Sequence, residues 1–127
     1  FINVPVSIDS NDWRFNNKYM DALKNKDTKA AAEISDQYVT FIRGQIVKMK
    51  RISALQVGRQ IRHIMLFHMN GINADNMDQI LQLLADKKWK FISVKQALTD
   101  PIYSQEDEYY GDIGLSHLEM LYGQSFN

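Results

Sequence analysis

Residues 2–8 alternate, with Ile2, Val4, Val6 and Ile8 apolar and Asn3, Pro5 and Ser7 between them. This period of two predicts a strand, at an edge or starting late because Pro5 has no N–H to give a ladder. Asp9 to Arg14 reads as a turn-rich loop, and Asn17 to Lys26 as a short helix grouping Tyr19, Met20 and Leu23. A long helix follows, capped by Asp27 or Thr28. Its apolar positions Ala31, Ile34, Tyr38, Phe41 or Ile42, Ile46, Met49, Ile52 and Leu55 recur every three or four residues. Gly44 costs this helix about 1 kcal/mol and is the natural place for a break, while Gly58 suits its C-cap. Ile61 to His68 carries the clearest strand pattern. Asn73-Ala-Asp-Asn opens a helix through Lys87 with Met77, Ile80, Leu81 and Leu84 on one face, and Trp89 to Ile92 forms a short strand. Ser93 with Gln96 makes a capping box for a helix ending near Thr99, before Asp100-Pro101. The rest is expected to be irregular apart from a helical turn near Ser116 to Tyr122.

Strands joined by helices predict an α/β fold with parallel pairing, and functional residues beyond the strands' C-terminal ends. Asp9, Asp12, Trp13 and His68 all fall at such ends. Length and composition fit one domain over residues 1–127, with 45% apolar and 24% charged residues. Fifteen basic residues cancel fifteen acidic ones, so no overall field favours nucleic acid or an anionic membrane. Lys48, Lys50 and Arg51, like Glu106, Asp107 and Glu108, read as solvated surface. The absence of cysteine excludes disulfides and thiolate chemistry. No apolar run approaches the roughly 20 residues of a membrane span. The apolar opening that starts at Phe1 reads as the interior of a longer protein.

Asp9-Ser-Asn-Asp-Trp-Arg14, a helical stretch, and then Leu66-Phe-His68 resemble, in that order, the later motifs of the polysaccharide deacetylase family and its NodB homology domain. Asn73-Ala-Asp75, Trp89-Lys-Phe-Ile-Ser-Val94 and Gln96-Ala-Leu-Thr-Asp-Pro101 are similar to the ending of that domain, so the likeness covers nearly the whole chain. It implies that this is the C-terminal portion of a distorted seven-stranded (β/α) barrel, completed by a missing N-terminal part. It also implies hydrolysis of N-acetyl groups on an amino-sugar polymer, chitin-like or peptidoglycan-like, with a divalent metal such as zinc in the complete domain. The family's Thr-Phe-Asp-Asp and His-x-x-x-His motifs are absent here, so this chain alone is expected to bind no metal and to be inactive.

By the same resemblance His68 is the general acid that protonates the departing amine, and Asp12 supplies the carboxylate that orients its ring and favours an imidazolium. Trp13 is a pocket wall, and Leu66, two residues before His68 on a strand, points the same way to line an acetyl pocket. Asp9 reads better as a helix cap, whereas for Asp12 the functional role is preferred. His63, facing opposite to His68, reads as structural, His117 has no evident partner, and the tyrosines at 103, 109, 110 and 122 read as packing. The expected partner is an acetylated oligo- or polysaccharide, met outside the cytoplasm. An O-acetyl polysaccharide esterase, a sugar-binding module without the metal, and a ligand-free fragment of like fold are the alternatives.

Overall fold

In a computed structural model of the chain, residues 2–111 and 114–123 are described. Residue 1, from the apolar opening, and residues 112, 113 and 124–127, from the stretch expected to be irregular, lie outside them. In order come β1 (Ile8–Asp9), α1 (Asp12–Lys24), α2 (Thr28–Ile52), a π-helical turn (Ser53–Val57), β2 (Met65–Leu66), α3 (Gly71–Asp86), α4 (Val94–Ala97), a 3-10 turn (Pro101–Ser104) and α5 (His117–Tyr122). The expectation of an α/β barrel portion is overturned. Of the described residues 61% are helical, and the two strands are two residues each, so this is a small helical fold rather than part of a seven-stranded barrel. The alternating segments 2–7 and 89–92 make no ladder: Val6 accepts from the His117 N–H and Ser7 donates to the Ile64 carbonyl, but isolated backbone bonds do not build a strand.

The chain divides into two compact units, and α2 contributes its residues to Gly44 to one and those from Gln45 to the other. The first unit comprises residues up to 9, 45–66 and 92 onward. There β1 and β2 pair in parallel, Ile8 opposite Met65 and Asp9 opposite Leu66. Ile8, Ile46, Met49, Ile52, Ile102 and Leu118 form its buried centre, each worth roughly 1.5–3 kcal/mol of apolar burial. Ser53 closes the chain after α2: its Oγ donates to the Arg59 carbonyl at 2.6 Å and accepts from the Ile61 N–H at 3.0 Å. Gly58, at φ 78°, supplies the left-handed turn between them. Asp100 is this unit's polar hub, taking the Arg59 guanidinium on both oxygens and the N–H groups of Arg62 and Ile102. Lys48, expected to be solvated surface, instead pairs with Glu119 at 2.6 Å. His117 is buried, with Nε2 2.8 Å from the Ile102 carbonyl and its ring against Tyr103.

His63 sits in the same unit with Nδ1 3.1 Å from the Ser7 hydroxyl. Burial, with a smaller push from Lys50 and against the pull of Asp100, lowers its pKa from 6.5 to about 4. The unfolded chain therefore takes up a proton near pH 6.5 that the folded chain refuses until about pH 4. Stability is expected to fall as pH drops through that window, by about 3 kcal/mol at most. Urea unfolding at pH 7 and pH 5 checks this, since most carboxylates stay ionised across the interval. A His63→Gln variant that keeps the full wild-type slope would show the origin lies elsewhere.

The second unit comprises residues 10–44 and 67–91, that is α1, the first part of α2, and α3. Tyr19, Ala22, Ala31, Tyr38, Val39, Ile42, Ile72, Ile80 and Leu84 are its buried apolar positions. Polar contacts fix the packing: Tyr19 Oη donates to Asp75 at 2.6 Å, Asn76 Nδ2 donates to Ser35 at 3.1 Å, and Asn16 Oδ1 accepts from the Ile72 N–H at 3.1 Å. Gly71 opens α3 where α1 comes closest, and a Cβ there would stand 2.5 Å from the Met20 sulfur. Both α1 and α3 stop without glycine, on Lys26 and Lys88 in the left-handed region at φ 56° and 60°.

Candidate functional site

α1 begins abruptly. Asn11 precedes it at φ 48°, a conformation asparagine tolerates better than most residues, and makes no side-chain cap. The helix was expected to start at Asn17 after a loop, so Asp12 and Trp13 stand in a first helical turn, not at a strand end. Asp9 is not the cap of α1, a place Asn11 takes. Asp12 does not cap its own helix either, and its carboxylate is turned to the loop that precedes α3.

There it is fully saturated. Asp12 is 0% exposed. Its Oδ1 lies 2.8 Å from His68 Nδ1, and its Oδ2 accepts from the His68 backbone N–H and from Asn73 Nδ2, each at 2.6 Å. Burial alone would push this carboxyl up, but the bonds from the His68 N–H, the His68 ring and Asn73 outweigh it and hold the group below the usual carboxylate value. An ionised carboxylate can only accept, so His68 Nδ1 must carry a proton. Nε2 is left as the working nitrogen of the ring, whose side chain is 54% exposed.

Asn73, which the sequence did not single out as a site residue, holds both partners. Besides Asp12 its Nδ2 reaches the His68 carbonyl at 2.8 Å, and its Oδ1 accepts from the Tyr38 hydroxyl at 2.5 Å. Asn70 caps α3 through the Asn73 N–H at 3.1 Å, so the loop from His68 to the helix is pinned at both ends. Tyr38, Asn73, Asp12 and His68 thus form one continuous chain of hydrogen bonds, buried at Tyr38 and open at the imidazole.

His68 borders an open cavity of about 710 Å³ whose walls include Phe67, Met69, Ala74 and Met77. The setting is an apolar hollow with an imidazole on its rim, suited to a small apolar group bonded to something that needs a proton. Trp13, expected to wall this pocket, is 58% exposed and is not among the residues lining it. Leu66 lies in β2, opposite Asp9, in the first unit. The structure therefore brings Asp12 and His68 together and adds Asn73 and Tyr38, without adding Trp13 to the cavity. In the first unit the Ser7–His63 pair, for all its likeness to a nucleophile and base, has a completely buried serine and no access for a substrate.

Among the described residues no group of three His, Cys, Asp or Glu side chains is placed to hold a metal ion. No helix among them is long and apolar enough to cross a membrane. The chain matches no protein-family model, no curated protein and no solved structure.

Proposed function

We propose that Asp12 and His68 are the proton-delivering half of a hydrolytic site that removes acetyl groups from an amino-sugar polymer, the reaction of the polysaccharide deacetylases whose motifs the chain resembles. The observation that carries this is the 2.8 Å contact between a wholly buried carboxylate and a half-exposed imidazole, 56 residues apart in sequence. A carboxylate locked by three donors cannot swing away, so it fixes the ring plane and keeps Nδ1 protonated. In the imidazolium form the second ring proton sits on Nε2, and that proton is the one available to the amide nitrogen, which must gain one before the C–N bond breaks. Cleavage of an N-acetyl group depends on this step more than cleavage of an O-acetyl ester, because an unprotonated amine is the poorer leaving group.

Among the described residues no metal site is assembled, and no step here runs through one. Under this proposal the metal and the group that activates water belong to residues outside this sequence. Acetate release from N-acetylated chito-oligosaccharides or peptidoglycan fragments, measured for the protein that carries this chain, is the test. His68→Ala is expected to slow release at least about 100-fold with unchanged helix content, as for loss of a general acid. Equal turnover by the variant would overturn the assignment.

A further inference from the structure

A second cavity, of about 290 Å³, lies entirely within the second unit and shares no residue with the cavity at His68. Its walls come from the start of α1 and from α2. Its lining includes Arg14 and Lys18 from α1, the amide of Gln37 from α2, and the apolar side chains of Phe15, Ile34 and Phe41. No acidic residue lines it. Phe15 and Phe41 lie with ring centroids 5.4 Å apart, so that part of the lining is a packed aromatic pair and not two loose side chains.

The placement of the two cations is unfavourable unless something answers them. Arg14 and Lys18 are four residues apart on α1, where like charges repel by roughly 0.2–0.5 kcal/mol. Arg14 also sits in the first turn, at the positive end of the helix dipole, where a cation is disfavoured. Neither forms a salt bridge among the described residues. Other surface positions of the helix would have carried these side chains at lower cost.

We infer that this cavity binds a small organic anion, its carboxylate or phosphate held by Arg14 and Lys18 and its flat apolar body resting on Phe15 and Phe41. The guanidinium offers two parallel N–H donors to such a head group, the ammonium adds a point charge, and Gln37 offers an amide. The volume accommodates one aromatic ring or one sugar ring with its charged substituent, and not a polymer. The site uses neither Asp12 nor His68, so it stands or falls independently of the hydrolytic proposal.

Phenyl phosphate and benzoate are the probes, with benzyl alcohol as the neutral control, titrated into the whole chain and followed by amide chemical shifts. Saturable shifts confined to residues 11–18 and 34–41 with either anion are expected, together with at least a tenfold weaker response to benzyl alcohol. Both cations are exposed, so the double variant R14Q/K18Q should retain its helix content, and its affinity for the anion should fall at least tenfold. Absence of saturable shifts in the wild-type chain, equal binding of benzyl alcohol, or unchanged affinity in the folded double variant would each overturn the site.

Discussion

Replacing Asp100 by alanine is expected to destabilise the first unit by about 2–4 kcal/mol at pH 7, the cost of removing a buried carboxylate from a saturated network. The carboxylate accepts four hydrogen bonds: two from Arg59, one from the Arg62 N–H at 2.9 Å and one from the Ile102 N–H at 3.1 Å. Arg59 is 44% exposed and can return to water, which keeps the loss below that of a wholly buried ion pair. The backbone N–H of Ile102 is buried and has no such refuge. The Arg59 guanidinium, helped by those two N–H groups and opposed by burial, holds the Asp100 carboxyl far below the usual carboxylate range. Its folded value lies below its unfolded one, so its contribution is complete above about pH 4 and is lost as pH falls further. Urea midpoints at pH 7 and pH 3 check both halves. The variant should be much weaker than wild type at pH 7 and should lose less on acidification. A midpoint at pH 7 within about 0.5 kcal/mol of wild type would show that the network is not what holds this unit.

How far the residues announced this structure depends on whether the information was local. The apolar period of α2 is local: Ala31, Tyr38, Ile42, Ile46, Met49 and Ile52 are buried and Ile34 and Phe41 half-buried, while Leu55 falls in the π-helical turn beyond the helix and is exposed. Gly44 did not break the helix, because a missing Cβ there faces open space and costs only propensity. The Ser93 cap was equally visible and forms a complete capping box with Gln96, whereas the turn near Ser116 was expected without the capping box that Ser116 makes with Glu119. Strands are not local. Residues 2–8 and 89–92 were read as strands, but a local pattern describes a face and cannot supply the neighbouring backbone, so the parallel ladder takes in only Ile8 and Asp9.

The site divides in the same way. The pairing of Asp12 with His68 was expected only through the resemblance, and the two side chains are in contact. Asn73 was not singled out, because its part depends on α3 beginning at Gly71, two residues earlier than expected, which puts Asn73 in the first turn beneath Asp12. Tyr38 was hidden by its own apolar stripe on α2, and only the hydroxyl at its tip joins the network. Trp13, a pocket wall by the resemblance, stands largely in solvent on α1 and is not among the residues lining the cavity at His68.

Asp12→Asn is expected to leave the fold standing and to abolish function, a combination that isolates what the carboxylate does. The amide has nearly the same shape, but it offers one accepting oxygen where the carboxylate offered two. Two donors, the His68 N–H and Asn73 Nδ2, converge on the Oδ2 position, and only His68 Nδ1 meets Oδ1. The carbonyl oxygen therefore settles at the position with two donors, and the new NH₂ faces His68 Nδ1. Two donors cannot share that contact, so the ring must yield Nδ1 as an acceptor and move its proton to Nε2. A protonated imidazole then loses its anionic partner and meets an amide N–H in its place. Stability should fall by about 1–3 kcal/mol, the usual range for a disturbed buried hydrogen-bond network. Acetate release should fall on the order of 10³–10⁴-fold, as when the orienting carboxylate of a catalytic histidine is made neutral, because the imidazolium that donates from Nε2 has lost the anion that favours it. Nitrogen-15 spectra of the His68 ring separate this from simple damage, because they report directly which nitrogen is protonated. A variant that keeps the Nδ1–H form, or that keeps its turnover, would show that Asp12 holds the loop to the helix and nothing more.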